Sequence, residues 1–427
     1  MRYGSVLFRA ILIALTGSVL TVSLPSASAE DLRTARPGTL GLSAERLNRL
    51  DPVMRAYIDQ GKLAGVSVAI MRKGKIADTR HYGMADKERA LPMADDTIFR
   101  IHSMSKPITA VALMMLYEEG KFQLTDPISM YIPELKDLKV FDGLNYDGTM
   151  KVMDAHREPT IQDLLTHTAG FSYGRSNDPI SKMYQERKYR DRENGTLAEM
   201  IEKISDVPLL YQPGERWVYS ISVDIQGHLV EVLSGQSFDV FLKERIFKPL
   251  DMKDTGFHVP AAKVDRFAAA YAFKDDKIVL ADDPHTSTYL KKPKFFSGSG
   301  GLVSTTNDFL RFSQMMLNGG TLDGTRLLSP KTVKLITQNH LVDGVSVNLY
   351  GPSSLGYGLG VSVRTTLTQD AGTGSIGEYG WGGSASTYFW VDPKEEMIAI
   401  LMTQFYPSNA WRIRSEFHTL VYQAVVD

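Results

Sequence analysis

Hydrophobic and polar residues alternate with a strand-like period near both ends of the chain and with a different rhythm between them. Val66 to Met71 and Lys75 to His81 show the two-residue period of half-buried strands, and Arg72-Lys73-Gly74 between them is a hairpin signal. Toward the other end, Gly358 to Val363, Ala385 to Val391 and Met397 to Thr403 read as strands, with Asp392-Pro393-Lys394-Glu395 turning between the last two. A helix-like run to Val425 closes the chain. The short run Thr97 to Ile101 is also strand-like and leads into an apolar-periodic helix, Ile108 to Tyr117, whose Pro107 suits a first turn. From about Pro107 to Leu317 the pattern is mostly helical or irregular. Strands at both ends with helices between predict an α/β (α+β) fold: one antiparallel sheet flanked by helices, with a helical lobe inserted. Residues 45–106 and 318–427 are expected to form the α/β lobe, and 107–317 the mainly helical lobe. Reactive groups then lie between lobes, where clefts form.

The N-terminal segment has its own pattern. Arg2 and Arg9 give a positive start, Ala10 to Leu24 an apolar stretch, and Ala27-Ser28-Ala29 a cleavage site before Glu30. Residues 1–29 read as a secretory signal and 30–427 as an exported mature chain, periplasmic or secreted from a bacterium. The apolar run is short for a membrane span, so no stable insertion is expected after cleavage. The whole chain has 43% hydrophobic and 23% charged residues, as ordinary globular proteins do, and a net charge of −1 that speaks against nucleic-acid binding. With no cysteine there is no disulfide framework, thiol nucleophile or lipidated cysteine. The nine histidines are scattered and H-E-x-x-H is missing, so neither a metal nor a cofactor is expected. No internal repeat is apparent.

Ser103-Met104-Ser105-Lys106 changes the picture most, because it sets a hydroxyl and an amine one helical turn apart at a strand-to-helix junction. A serine is a poor nucleophile unless a neighbour takes its proton, and a partly desolvated lysine can do so. The helix start also offers backbone N–H groups to an oxyanion. Downstream, Pro213-Gly214 breaks the chain before Tyr219-Ser220, placing the Tyr219 phenol on a loop or helix start, where it can shuttle a proton. Trp381-Gly382-Gly383-Ser384 stands before a strand-like run, and its glycines let a ligand approach the backbone. The N–H of Ser384 is expected to join that of Ser103 in the oxyanion hole.

In this order the three segments resemble the serine β-lactamase and penicillin-binding-protein superfamily, closest to the class C-like branch that includes the family VIII carboxylesterases. Further matching stretches are Phe99-Arg100-Ile101-His102-Ser103, Leu164 to Gly170, Gly298-Ser299-Gly300-Gly301-Leu302 and Pro249 to Thr255. The resemblance implies a β-lactamase-like fold with Ser103, Lys106 and Tyr219 catalytic. Two departures matter. Ile221 stands where the β-lactamases carry an asparagine that holds the substrate's acylamino group, and Trp381 stands where they carry a lysine that meets a carboxylate. An indole offers no such charge or paired donors. Trp381, Gly382, Gly383 and Ile221 are therefore expected to line a pocket for neutral, short-chain esters, with slow β-lactam hydrolysis as a side activity. The alternatives are a class C-type β-lactamase, a D-amino-acid peptidase, or an acyltransferase of the same fold. Gly170-Phe171-Ser172-Tyr173-Gly174 also satisfies the G-x-S-x-G nucleophile pattern, but helical character before it and a polar turn after it argue against Ser172. His102 is expected to serve packing rather than chemistry.

Overall fold

The computed structural model describes Met1 and residues 32–347, 355–367 and 372–427; apart from Met1, the stretch 1–29 read as a secretory signal lies outside the described residues. Eight strands form the main sheet: β1 (Gly65–Arg72), β2 (Lys75–Asp86), β3 (Leu91–Pro92), β4 (Leu355–Tyr357), β5 (Ser362–Arg364), β6 (Tyr379–Gly382), β7 (Tyr388–Asp392) and β8 (Met397–Met402). Their order is β4-β5-β6-β7-β8-β1-β2-β3, and all neighbours run antiparallel. The β1–β2 hairpin turns at Lys73 and Gly74, with φ of 52° and 73°, which Gly74 adopts without steric cost. β8 pairs with β1 in the register Ser67↔Met402 to Arg72↔Met397, joining the two ends of the chain in mid-sheet.

Side-chain alternation along these central strands sorts two cores. Val66, Val68 and Ile70 of β1, with Ala399 and Leu401 of β8, face the terminal helices α1 (Leu50–Asp59) and α5 (Ile413–Tyr422). Ala69 and Met71, with Ile398, Ile400 and Met402, face the other way, into the larger core. That core also takes in α2 (Ser105–Glu118), α3 (Ser222–Ser234) and α4 (Thr306–Leu317). α2 is buried along nearly its whole length, from Ser105 to Leu116, which suits a helix apolar all round.

Three expectations need correcting. Gly358 to Val363 is not one strand: β4 ends at Tyr357, β5 starts at Ser362, and a tight connection lies between. A Cβ at Gly358 would lie 2.2 Å from the Ile336 carbonyl oxygen, and at Gly360, whose φ is 89°, 2.6 Å from Ala110 Cβ on α2. The glycines let the connection press against the helices instead of extending. Residues 385–387 likewise form a turn, so the Trp381 motif ends strand β6 rather than preceding a strand directly. The stretch 107–317 carries two hairpins of its own, Lys139–Leu144 with Met150–Asp154 and Ala270–Lys274 with Lys277–Asp282. Its last helix, α4, packs on β8, β7 and β1 of the sheet.

Candidate active site

Strand Ile98–Arg100 pairs with Val303–Thr305 and delivers the chain into a single 3-10 turn, His102–Met104, before α2 begins. His102 takes φ of 43°, a left-handed conformation that costs a non-glycine residue on the order of 1 kcal/mol and sharpens the turn that presents Ser103. One turn on, Lys106 is fully buried. Its Nζ donates to Ser103 Oγ at 3.3 Å and to the Ser299 carbonyl oxygen at 2.5 Å. Tyr219 stands on the loop before α3, and its hydroxyl donates to Ser103 Oγ at 2.7 Å. The Lys106 ammonium lies 4.5 Å from the centre of the Tyr219 ring. The structure thus brings together the three side chains expected from sequence.

Tyr219 is held in an aromatic box. Its ring packs at 5.7 Å from Trp381, 6.1 Å from Trp217, 5.3 Å from Tyr173 and 5.0 Å from His167. Trp381 Nε1 reaches the Tyr219 hydroxyl at 3.5 Å, the long limit of a hydrogen bond. The group turned toward the Tyr219 hydroxyl from β6 is therefore an uncharged indole edge. His167 accepts the Ser220 N–H on Nδ1 at 3.3 Å; burial, reinforced by the Lys106 charge, pushes its pKa well below the usual range. Burial and that charge thus favour its neutral form.

Close backbone approach brings the last motif to the first. A Cβ at Gly383 would sit 2.5 Å from the Ile101 carbonyl oxygen and 2.2 Å from Thr387 Oγ1, so only glycine lets the turn after β6 close on the segment carrying Ser103. Arg414 of α5 ties that turn down, donating to the carbonyl oxygens of Gly383 and, at 2.9 Å, Thr387. Its guanidinium carbon lies 2.9 Å from where a Gly382 Cβ would be. Ser384 sits exposed at the head of the turn.

Two expectations fare differently. Ile221 is fully buried at the start of α3 and packs in the core, so it fills space behind the site and presents no surface to a cleft. Ser172 is a turn residue: its hydroxyl bonds Ser181 Oγ at 2.8 Å and accepts the Gly174 N–H at 3.0 Å. Helix Ile161–Leu165 precedes it, and no strand delivers it. His102, as expected, turns aside, its Nε2 2.6 Å from the Tyr406 hydroxyl. Burial, helped by the Arg100 and Lys106 charges, lowers its pKa to about 3.

Sequence reasoning missed Tyr173, inside the same G-F-S-Y-G stretch. It stacks on Tyr219 and donates to Ser299 Oγ at 2.8 Å. Burial opposes its ionisation, but the Arg190 and Lys106 cations outweigh that and lower its pKa. Sequence reasoning also missed Asp224, fully buried in α3. Its only signal was a lone carboxylate between Val223 and Ile225, in a run with no other acidic residue before Glu231. Among the described residues there is no cluster of metal-ligating side chains.

Comparison with known proteins identifies the family. A family model described as beta-lactamase matches residues 50–422. Protein Rv1367c of Mycobacterium tuberculosis (strain ATCC 25618 / H37Rv) is 34% identical over 363 residues, covering 83% of this chain and 89% of that protein. Esterase EstB of Burkholderia gladioli is 28% identical over 392 residues, covering 86% and 93%. The structure of EstCE1, a hydrolase with promiscuous acyltransferase activity, superposes with a TM-score of 0.75 at 26% identity, covering 88% of this chain and 99% of that one. The chain belongs to the beta-lactamase family, as a serine hydrolase of the branch that carries the family VIII esterases.

Proposed function

We propose that the protein is a carboxylesterase that hydrolyses short-chain neutral esters through a Ser103 acyl-enzyme. The observation that carries this reading is the placement of Tyr219 Oη and Lys106 Nζ at 2.7 and 3.3 Å from one hydroxyl, Ser103 Oγ. In the first step the Lys106–Tyr219 pair, one proton short between Nζ and Oη, takes the Ser103 proton as Oγ attacks the ester carbonyl. The N–H groups of Ser103 and Ser384 hold the oxyanion. Collapse of the tetrahedral intermediate breaks the C–O bond, and the alcohol leaves with a proton passed through Tyr219. Water then enters, gives a proton to the same pair and attacks the acyl carbon; collapse breaks the acyl–Oγ bond, the pair returns the proton to Ser103 Oγ, and the carboxylic acid leaves.

The indole of Trp381 supports the substrate class, since it lines the site where a cation would anchor a carboxylate. Likeness to EstB, an esterase, supports it further. Likeness to EstCE1 supports a minor transfer of the acyl group to alcohols. Among the described residues no helix is long and apolar enough to cross a membrane. The A-x-A signal before Glu30 supports export to the periplasm or beyond.

The test is a pair of variants with a covalent probe. Ser103→Ala is expected to lose at least about a thousandfold in kcat on p-nitrophenyl butyrate, and Ser172→Ala to keep most activity. A fluorophosphonate adduct is expected on the peptide holding Ser103. The wild type is expected to prefer that ester to a cephalosporin by several orders of magnitude in kcat/KM, since each missing charge-assisted contact forfeits about 1.5–3 kcal/mol. An adduct on Ser172 overturns the nucleophile, and equal efficiency on the two substrates overturns the esterase reading.

A further inference from the structure

One buried cluster stands outside the mechanism just given. Asp224, in the first turn of α3, accepts the Ser297 hydroxyl at 2.8 Å and the Ser299 N–H at 3.0 Å on Oδ1. On Oδ2 it accepts the Ser299 hydroxyl and the Arg190 guanidinium, both at 3.0 Å. Burying a carboxylate costs several kcal/mol unless it is paired, and an apolar side chain would serve packing without that cost. The arrangement around Ser299 gives the carboxylate a task.

Ser299 is the residue whose carbonyl oxygen receives the Lys106 ammonium. With its N–H and its hydroxyl both held by Asp224, its backbone is fixed and its carbonyl is aimed. The same loop is stitched to α2, on which Lys106 rides: Thr109 Oγ1 donates to the Gly298 carbonyl oxygen at 2.8 Å, and Leu302 N–H to Ser105 Oγ at 3.2 Å. Arg190 closes the cluster, donating to Ser297 Oγ at 2.9 Å and Ser299 Oγ at 2.6 Å.

We propose that Asp224 is the positioning residue of Lys106: through Ser299 it holds the ammonium against Ser103, and its charge, balanced by Arg190, sets the proton affinity of the Lys106–Tyr219 pair. This rests on Ser103 being the nucleophile. The other titratable or charged groups facing Lys106 are Tyr219, Tyr173, His102 and His167, with Arg175 and Arg190 over the Tyr173 ring at 4.3 and 5.0 Å. Burial disfavours charge on both histidines, and Asp224 and Arg190 carry charges that substitution unbalances with opposite sign.

The experiment measures kcat/KM against pH for Asp224→Asn and Arg190→Gln, with the melting temperature of each. Asp224→Asn keeps the size and leaves the Arg190 charge uncompensated. A nearby base then binds its proton less tightly, and the acid limb moves to lower pH by about one unit. Arg190→Gln leaves Asp224 uncompensated and moves the limb the other way. In Asp224→Asn the plateau kcat is expected to fall at least about tenfold while KM stays within about threefold, because the carbonyl that aims Lys106 loses its anchor. A purely structural role would lower the melting temperature and leave both limbs in place. Unmoved limbs, or limbs that move together, overturn the proposal. If Asp224→Asn does not fold, Arg190→Gln alone decides: an upward shift supports the proposal and an unmoved limb overturns it. Fluorophosphonate mapping on the same variants separates the two readings. An adduct on Ser103 with unmoved limbs overturns only the role of Asp224, and an adduct elsewhere overturns the nucleophile and this inference together.

Discussion

Gly383→Ala adds one methyl group at the point where the turn carrying Ser384 meets the segment carrying Ser103, the two proposed oxyanion donors. Ordinary van der Waals contact for a Cβ begins at 3.4 Å, and the new methyl would stand 2.5 Å from the Ile101 carbonyl oxygen. Thr387 Oγ1, at 2.2 Å, can rotate away; the carbonyl is main chain and cannot. The turn carrying Ser384 must therefore retreat from the Ser103 segment by about 0.9 Å. A displacement near 1 Å costs on the order of a hundredfold in a positioned reaction, and losing one oxyanion donor costs about a hundred- to a thousandfold. The variant is expected to lose about a hundredfold in kcat on p-nitrophenyl butyrate with KM nearly unchanged, since the donor acts mainly in the transition state. Overpacking is expected to cost about 1–3 kcal/mol of stability, read from urea unfolding. A folded Gly383→Ala protein that keeps more than about half of the wild-type kcat would refute the reasoning.

Lys106→Ala and Tyr219→Phe are each expected to remove most activity, and the double variant to be little worse than the poorer single one, because both serve one proton transfer; independent, multiplicative losses in kcat would assign one of them to substrate placement. Ile221→Asn would bury a carboxamide without a partner in the core at the start of α3, so its unfolding free energy is expected to fall by about 2–4 kcal/mol, with a lower urea midpoint. An unchanged midpoint with faster cephalosporin hydrolysis would instead put residue 221 at the substrate. His102 binds a proton near pH 3 in the folded protein and near 6.5 when unfolded, so the unfolded chain takes up the extra proton in between. Its contribution is complete above about pH 6.5 and lost as the pH falls toward 3. In urea titrations His102→Gln is expected to flatten the fall in stability over that window; a slope equal to that of the wild type would show that His102 does not titrate there.

The local signals in the chain were legible where the fold is local. Arg72-Lys73-Gly74 turns where the alternation predicts, and Met397 to Met402 is a strand as expected. Ser103 and Lys106 were legible because one helical turn fixes their separation, and Tyr219 through a motif that resemblance supplied. Gly358 to Val363 misled because an alternating glycine–aliphatic run suits a strand and a close-packed connection equally well. The hairpins at 139–154 and 270–282 escaped because their half-exposed strands carry weak alternation. Asp224, Tyr173 and Arg190 act on the site through Ser299. No spacing rule in one sequence links residues so far apart.

The pairing of β8 with β1 has a consequence in time. The middle of the sheet closes only when Ser67 meets Met402, so its central ladder waits for nearly the whole chain to leave the ribosome. Gly383 and Arg414, which seat the turn carrying Ser384, are also made late. A nascent chain already holds Ser103, Lys106 and Tyr219 but lacks the turn that brings the proposed second oxyanion donor, so on the proposed mechanism full activity appears late, with the long-range closure. Contacts of such long reach slow folding, and recovered activity in a refolding experiment reports completion of the sheet rather than of any local element.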